Sequence, residues 1–494
     1  MAMAMVGMAN TGRSSRLLYC LLVYASSPAL AGDWNIIPVL SVRELYSDNI
    51  TLSTVSPESS FLTELTPGIK VSRKGARGNL SVDYGLQGQF YSHDSSVGGY
   101  NNQLTAALQS ELIDDSFFVD AKANIGQQNN NLTNAVGADN TNASGNKSEV
   151  RSVSVTPSWR ARFGADANLD ARWQLTYSDS DSGVVSGVTG NTLSITLRSG
   201  SAFKRVPWNL SYRLSNNNGS ASASRISSVS AGLGYVFSPK LRATVTLGKD
   251  SNNGSTQGFN QTSGNYWNAG IDWTPSSRTS LDVNLGHRYN GNSYGLNFTH
   301  RTRRTTWAVL YSEDVSDTYN QINGSEAFDI YRCGNYDVIV PAGSPSPDPV
   351  LCGTAPLYPA LRRNSTQLVN DTTLNKTWSG SVTYQAGKST FRATYNKSSR
   401  QLLSVGGSDD NYSLVGSWSL RLGPRTTSTI SLTSSHATTL TSQSDDWIAH
   451  WVLSRQLTKK ATAALELRRQ ERDAGSTSGG YKENSVSARV NMSF

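Results

Sequence analysis

Cysteine is almost missing, with three in 494 residues, so no dense disulfide framework can hold this chain together. Charge is thin as well: Asp, Glu, Lys and Arg make up 16%, against a usual quarter. A disordered chain would carry more charge and fewer aromatics than the 21 Tyr, 12 Phe and 11 Trp found here. Mean hydropathy is −0.40, and nothing approaches the roughly 20 consecutive apolar residues of a membrane helix. Helix-period segments rich in Ala, Leu, Glu and Lys, expected of an ordinary enzyme this long, are also wanting. What fills the chain is Ser, Thr, Asn and Gly, threaded with aromatics. That balance suits a protein apolar on one face and wet on the other, repeated along its length.

The N-terminus indicates the compartment. Arg13 and Arg16 precede an apolar run over 17–25, and Pro28-Ala29-Leu30-Ala31 supplies a small-residue cleavage site. Residues 1–31 are therefore expected to be a cleaved signal peptide, leaving 32–494 as one mature domain. Cys20 does not make a lipoprotein signal, because Tyr19 stands where a small residue is needed. Cys333 and Cys352 remain, in a Pro/Gly-rich stretch and an oxidising compartment, and are expected to pair.

From Trp34 onward, segments of about 10–12 residues alternate apolar and polar, as membrane barrel strands do. In the last one, Val486, Ala488, Val490, Met492 and Phe494 share one face, against Ser485, Ser487, Arg489, Asn491 and Ser493. A terminal Phe behind alternating apolar positions resembles the signal by which outer-membrane barrels are recognised for insertion, with Val490, Met492 and Phe494 as its residues. Leu169, Ala171, Trp173, Leu175 and Tyr177 form another such face, opposite Asp170, Arg172, Gln174 and Thr176. Counting gives about 22 strands, in a range of roughly 20 to 24, consistent with the even number such barrels carry.

Connector lengths sort by parity. Tight turns such as Ser238-Pro239, Ala386-Gly387 and Gly423-Pro424 follow even strands. Longer polar loops, including 128–149, 251–264 and the longest at 316–373, follow most odd strands. Short periplasmic turns and long external loops place both termini in the periplasm. Trp159, Trp173, Trp208, Trp267, Trp273, Trp307, Trp378, Trp418 and Trp451 fall on the apolar face or near strand ends, as interfacial girdles require. The reading is all-β: a transmembrane antiparallel barrel in the outer membrane of a Gram-negative bacterium.

Behind the signal stand Trp34, then Pro38-Val39-Leu40-Ser41-Val42-Arg43-Glu44-Leu45-Tyr46-Ser47-Asp48-Asn49-Ile50, with Leu65-Thr66-Pro67-Gly68-Ile69 further on. This pattern resembles the PEP-CTERM (exosortase) system-associated outer membrane proteins, porin-like barrels encoded near exopolysaccharide genes. Ser-Asp-Asn-Ile stands here where that family is expected to show Thr-Asp-Asn-Val. The resemblance implies a conduit tied to extracellular polysaccharide or sorted surface protein, and it transfers no catalytic residue.

The chain offers little chemistry. Gly291-Asn292-Ser293-Tyr294-Gly295 matches the nucleophile pattern of serine hydrolases, but that motif needs a strand-to-helix elbow, and here it falls in a hairpin. His287 and His300 flank Ser293 yet share parity with apolar residues. No cofactor fingerprint occurs, and no enzyme is expected. Asp179, Asp181, Asp409 and Asp410 read as loop carboxylates facing solvent, or lipopolysaccharide through divalent ions. The net charge of +8 forms no basic run, so nucleic acid is not an expected partner. Arginines exceed acids on the inward face: Arg160, Arg162, Arg172, Arg198, Arg213, Arg242 and Arg392 among them, against Asp83, Asp120, Asp170, Asp272, Asp282 and Glu466. Two readings stand. The arginines brace the wall in ion pairs, or Arg172, Arg213, Arg242 and Arg392 line an anion-preferring lumen.

The expected function is a passive porin or export conduit, with lipid, lipopolysaccharide and the barrel assembly machinery as partners. The rivals are a structural or glycan-binding surface barrel, and a barrel-wall hydrolase acting through Ser293. A barrel this wide needs filling. Strands begin directly behind the signal, so either a loop such as 316–373 folds inward or the lumen is open.

Overall fold

The computed structural model describes residues 33–92, 98–130, 134–143, 145–182, 187–219, 223–252, 263–288, 291–316, 328–333, 336–341, 373–402, 407–439, 442–474 and 480–494. Twenty-two strands form one antiparallel sheet in which each pairs with its neighbours in the chain. The sheet closes when the first, β1 (Asp33–Ser47), pairs with the last, β24 (Tyr481–Ser493). Closure leaves no sheet edge unpaired, the condition for a backbone to cross lipid.

Every barrel strand expected from the alternation is present. The 316–373 stretch, expected as loop, also holds a separate hairpin: β16 (Phe328–Cys333) against β17 (Tyr336–Pro341). These strands are six residues each, below the length that registers as a barrel crossing. Cys352 and the side chain of Cys333 lie outside the described residues, as do residues 1–31 and most of 316–373. Asp179, Asp409 and Asp410, expected in loops, sit instead in β7 (Ala167–Ser180) and β20 (Ser408–Gly423). Those strands run past the apolar band, so polar residues at their ends do not mark the limit of pairing.

Side-chain alternation divides the molecule into two surfaces. Outward positions carry Val229, Leu233, Leu247, Ile271, Leu285 and Leu432, all exposed, and such residues recur round the circumference. An apolar belt of that extent has no stable place in water, and it is the lipid-facing surface of a barrel. Trp159 and Trp273 lie toward the turn end of their strands, with Trp267 and Trp447 toward the loop end, so both rims carry aromatics. At the turn end, register shifts mark several hairpins, and Gly164 and Gly387 take positive φ there. A residue without Cβ relieves the strain of such tight turns.

Candidate functional site: the inturned segment and the lumen charges

The strongest departure from a plain barrel is in the connector between β5 (Phe117–Asn129) and β6 (Lys147–Phe163). Its residues 134–143 turn inward and pack on the inner wall of β1, β2 (Ser60–Gly75), β3 (Gly78–Tyr91), β23 (Ala461–Ala474) and β24. The wall meets the segment with side chains at every second position. Arg43, Leu45 and Ser47 come from β1, Gln87, Gln89 and Tyr91 from β3, Arg468, Gln470 and Arg472 from β23, and Glu483 from β24. All are buried.

Asp139 is the electrostatic centre. Its carboxylate accepts from Arg43 Nη1 and Nη2, both at 3.1 Å, and from Arg468 Nη1 at 2.9 Å. Arg468 reaches on to Glu483 at 3.3 Å, and Glu483 accepts from the Ser47 hydroxyl at 2.8 Å. Burial acts to raise the Asp139 carboxyl, but the guanidinium groups of Arg468 and Arg43 and the Thr141 hydroxyl outweigh it. They hold it well below the usual carboxylate range. Charges this deep persist only when paired and hydrogen-bonded.

The backbone of the segment is tied down just as fully. Gln470 donates to the Val136 carbonyl at 2.9 Å and accepts from the Ala138 amide at 3.0 Å. Tyr481 donates to the same Val136 carbonyl at 2.5 Å. Tyr91 donates to the Thr141 carbonyl at 2.8 Å, and Gln89 to that of Asn140 at 3.0 Å. The Ala143 amide donates to Ile50 at 2.9 Å, joining the segment to the β1–β2 connector. Leu45, Ile50, Leu62 and Tyr91 form a small apolar core beneath this junction.

Inward folding, expected of a loop such as 316–373, is found at 134–143, which no local pattern marks. The available signal lay on the wall. Arg468, Gln470 and Arg472 put three long polar side chains at successive inward positions, where most other strands carry Ser, Thr or Asn. Arg43 and Glu483 belong to the same pattern.

The sequence-selected arginines stand elsewhere, and all four have inward parity. Arg172 Nε donates to Asp170 at 2.7 Å, and Arg242 Nε to Asp272 at 2.5 Å. Arg392 donates to Thr394 at 3.3 Å. Arg213, in β9 (Trp208–Asn218), is exposed, with no acidic partner among the described residues. Acid-paired Arg172 and Arg242 thus stand on the same inward face as Arg213, which meets no carboxylate among the described residues.

The Ser293 motif opens β14 (Gly291–Arg301), where Ser293 pairs across with Gly286 and Asn292 with His287. Ser293 faces the lumen, while His287 and His300 face outward, so no Ser–His pair forms. Val490, Met492 and Phe494 lie on the outward face, with the Phe494 amide bonded to Pro38 at 3.0 Å.

No family model matches the chain, and no curated protein matches it in sequence. Among solved structures it is similar to the FrpB iron transporter from Neisseria meningitidis, at 10% identity and a TM-score of 0.52, over 94% of this chain and 82% of that one. It is also similar to a mutant of the ferric enterobactin receptor PfeA from Pseudomonas aeruginosa, at 9% identity and a TM-score of 0.50, over 94% and 81%. At such identity the likeness is one of architecture: this chain has the fold of a large outer-membrane β-barrel.

Proposed function

We propose that the protein is a passive conduit of a Gram-negative outer membrane, serving exchange or export linked to extracellular polysaccharide and exosortase-sorted protein. The observation that carries the conduit is the uncovered part of the inner wall, where Arg172, Arg213 and Arg242 are solvent-accessible among Ser, Thr and Asn. A wall built only for bracing would bury such groups, and would not leave Arg213 without an acidic partner among the described residues. The tie to polysaccharide and sorted protein rests on the PEP-CTERM-like pattern of residues 34–69. The reading gives the barrel wall no chemistry of its own.

Planar-bilayer recording tests it. The purified protein should conduct, with anions preferred, because fixed charge acts most strongly where water is confined. Arg213→Glu with Arg242→Glu should move the reversal potential toward cations, and Arg213 should carry more of the shift because Asp272 already offsets Arg242. Absence of conductance would favour the structural, glycan-binding barrel. Assembly has a separate test: deleting Phe494 should strand the protein in the periplasm, while Phe494→Tyr should be mild. Normal outer-membrane levels after the deletion would refute the insertion role.

A further inference from the structure

The inward charges are unevenly distributed. Across β5, β6, β7, β8 (Val188–Ser199) and β9, the described cations of inward parity are Lys122, Arg160, Arg162, Arg172, Arg198 and Arg213, all exposed. The inward carboxylates there are Asp120 and Asp170. The next four strands are β10 (Ala223–Ser238), β11 (Leu241–Asn252), β12 (Gly264–Ser276) and β13 (Thr279–Arg288). Their inward charges are Arg242 and Arg288 against Asp250, Asp272 and Asp282. One sector is strongly cationic; its neighbour is close to balanced.

Register sets the cations in tiers. Arg162 and Arg198 both lie level with Asn168. One step along, Arg160 lies level with Asp170 and Thr196. One step further, Ser158, Arg172, Ser194 and Arg213 share a line across four strands. Lys122 opposite Ser154 stands beyond them. Each step is two residues, about 7 Å along a strand. Asp170 does not neutralise the strip. It is shared between Arg172, at 2.7 Å, and Arg160, at 3.6 Å, and it holds their heads along the wall. Phe118 supports Arg160 from below, 4.4 Å from ring to guanidinium. Between the cations stand the partly exposed Ser194, Thr196 and Ser211, whose hydroxyls are able to donate and accept hydrogen bonds.

We propose that the inner wall of β5–β9 is a binding strip for a linear oligoanion, whose repeated carboxylate or phosphate groups engage successive tiers of arginine. Guanidinium forks suit either oxyanion, and tiers along the strand direction suit an extended chain better than a single compact ion. The proposal deepens the conduit reading by naming the class of solute its wall prefers.

The test uses the full-length protein in detergent micelles, so binding is measured without reference to conductance. Hexagalacturonate supplies the carboxylate arm, linear hexaphosphate the phosphate arm, and maltohexaose the neutral control, each followed by titration calorimetry. One or both oligoanions should bind at least tenfold more tightly than maltohexaose and weaken as salt rises; comparing the two arms identifies the preferred oxyanion. Arg172→Glu with Arg213→Glu should lower that affinity at least tenfold, whereas Arg288→Gln should leave it within twofold. Where the double reversal impairs assembly, Arg172→Gln with Arg213→Gln should lower the affinity at least threefold. Equal binding of maltohexaose, no binding of either oligoanion, or affinity unchanged in the arginine variants would overturn the strip. Binding without conductance would overturn the conduit and leave the strip standing.

Discussion

Two walls of one barrel use the same inward alternation to opposite ends. On β23, β24, β1, β2 and β3, inward Arg43, Arg468 and Arg472 are buried, and the inturned segment lies over the wall. On β5–β9, inward Arg160 and Arg172 keep about half their side-chain surface, at 48% and 53%. The ion pairs differ accordingly. Asp139 and Arg468 meet at 4% and 7% exposure, where breaking one partner strands a buried charge. Arg172 and Asp170 meet in water, where screening leaves little net energy. One wall is a fastening. The other is a surface.

The largest expected effect is at the fastening. Asp139→Asn leaves Arg43 and Arg468 facing each other without the carboxylate, a loss of about 3–5 kcal/mol by analogy with other broken buried pairs. Hydrogen exchange should then report lost protection at the Ala138, Thr141 and Ala143 amides, with the barrel strands unchanged. Protection retained in the variant would mean that the backbone ties alone hold the segment.

Acid should reach the same state by another route. Because the folded Asp139 carboxyl titrates well below its usual range, the stabilisation is fully present above the unfolded value, near about 4. It is lost only as pH falls through the lower folded value. Protection of 134–143 should therefore be flat from neutral pH to about 5. Loss of protection in that window would point to a different titrating group.

Gln470→Ala comes next. It removes the donor to the Val136 carbonyl and the acceptor for the Ala138 amide, inside a fully buried site. The Val136 carbonyl keeps its bond from Tyr481, so the unsatisfied group is the Ala138 amide, at a cost of about 1–3 kcal/mol. The same exchange measurement should show partial loss of protection, smaller than for Asp139→Asn and centred on Ala138.

The barrel was legible in the sequence because alternation is local. Val486, Ala488 and Val490 declare a lipid face without reference to any other strand, and tight turns such as Ser238-Pro239 set the hairpins. The inturned segment was not legible, because what holds it is distant in the chain. Asp139 finds Arg43 and Arg468 only once β24 has closed against β1, and nothing within 130–146 announces those partners. The arginine face was readable by parity. Which arginines are paired depends on cross-strand register: Arg242 meets Asp272 across β11 and β12, whereas Arg213 meets Ser194 and Ser228.

The smallest effect should be on the open wall, and it is the sharpest check on the contrast. Arg172 donates two hydrogen bonds to Asp170, at 2.7 and 3.1 Å, a geometry as good as that of the buried pairs. If geometry decided stability, Arg172→Gln would rival Asp139→Asn. The side chain is half exposed, however, and Asp170 retains Arg160 as a neighbour at 3.6 Å. Solvent screening should then hold the change to less than about 1 kcal/mol. Thermal loss of the heat-resistant folded band on unboiled gels, compared at low and high salt, measures it. A shift matching that of Asp139→Asn would show the β5–β9 wall to be a brace, and would erase the distinction between the two walls.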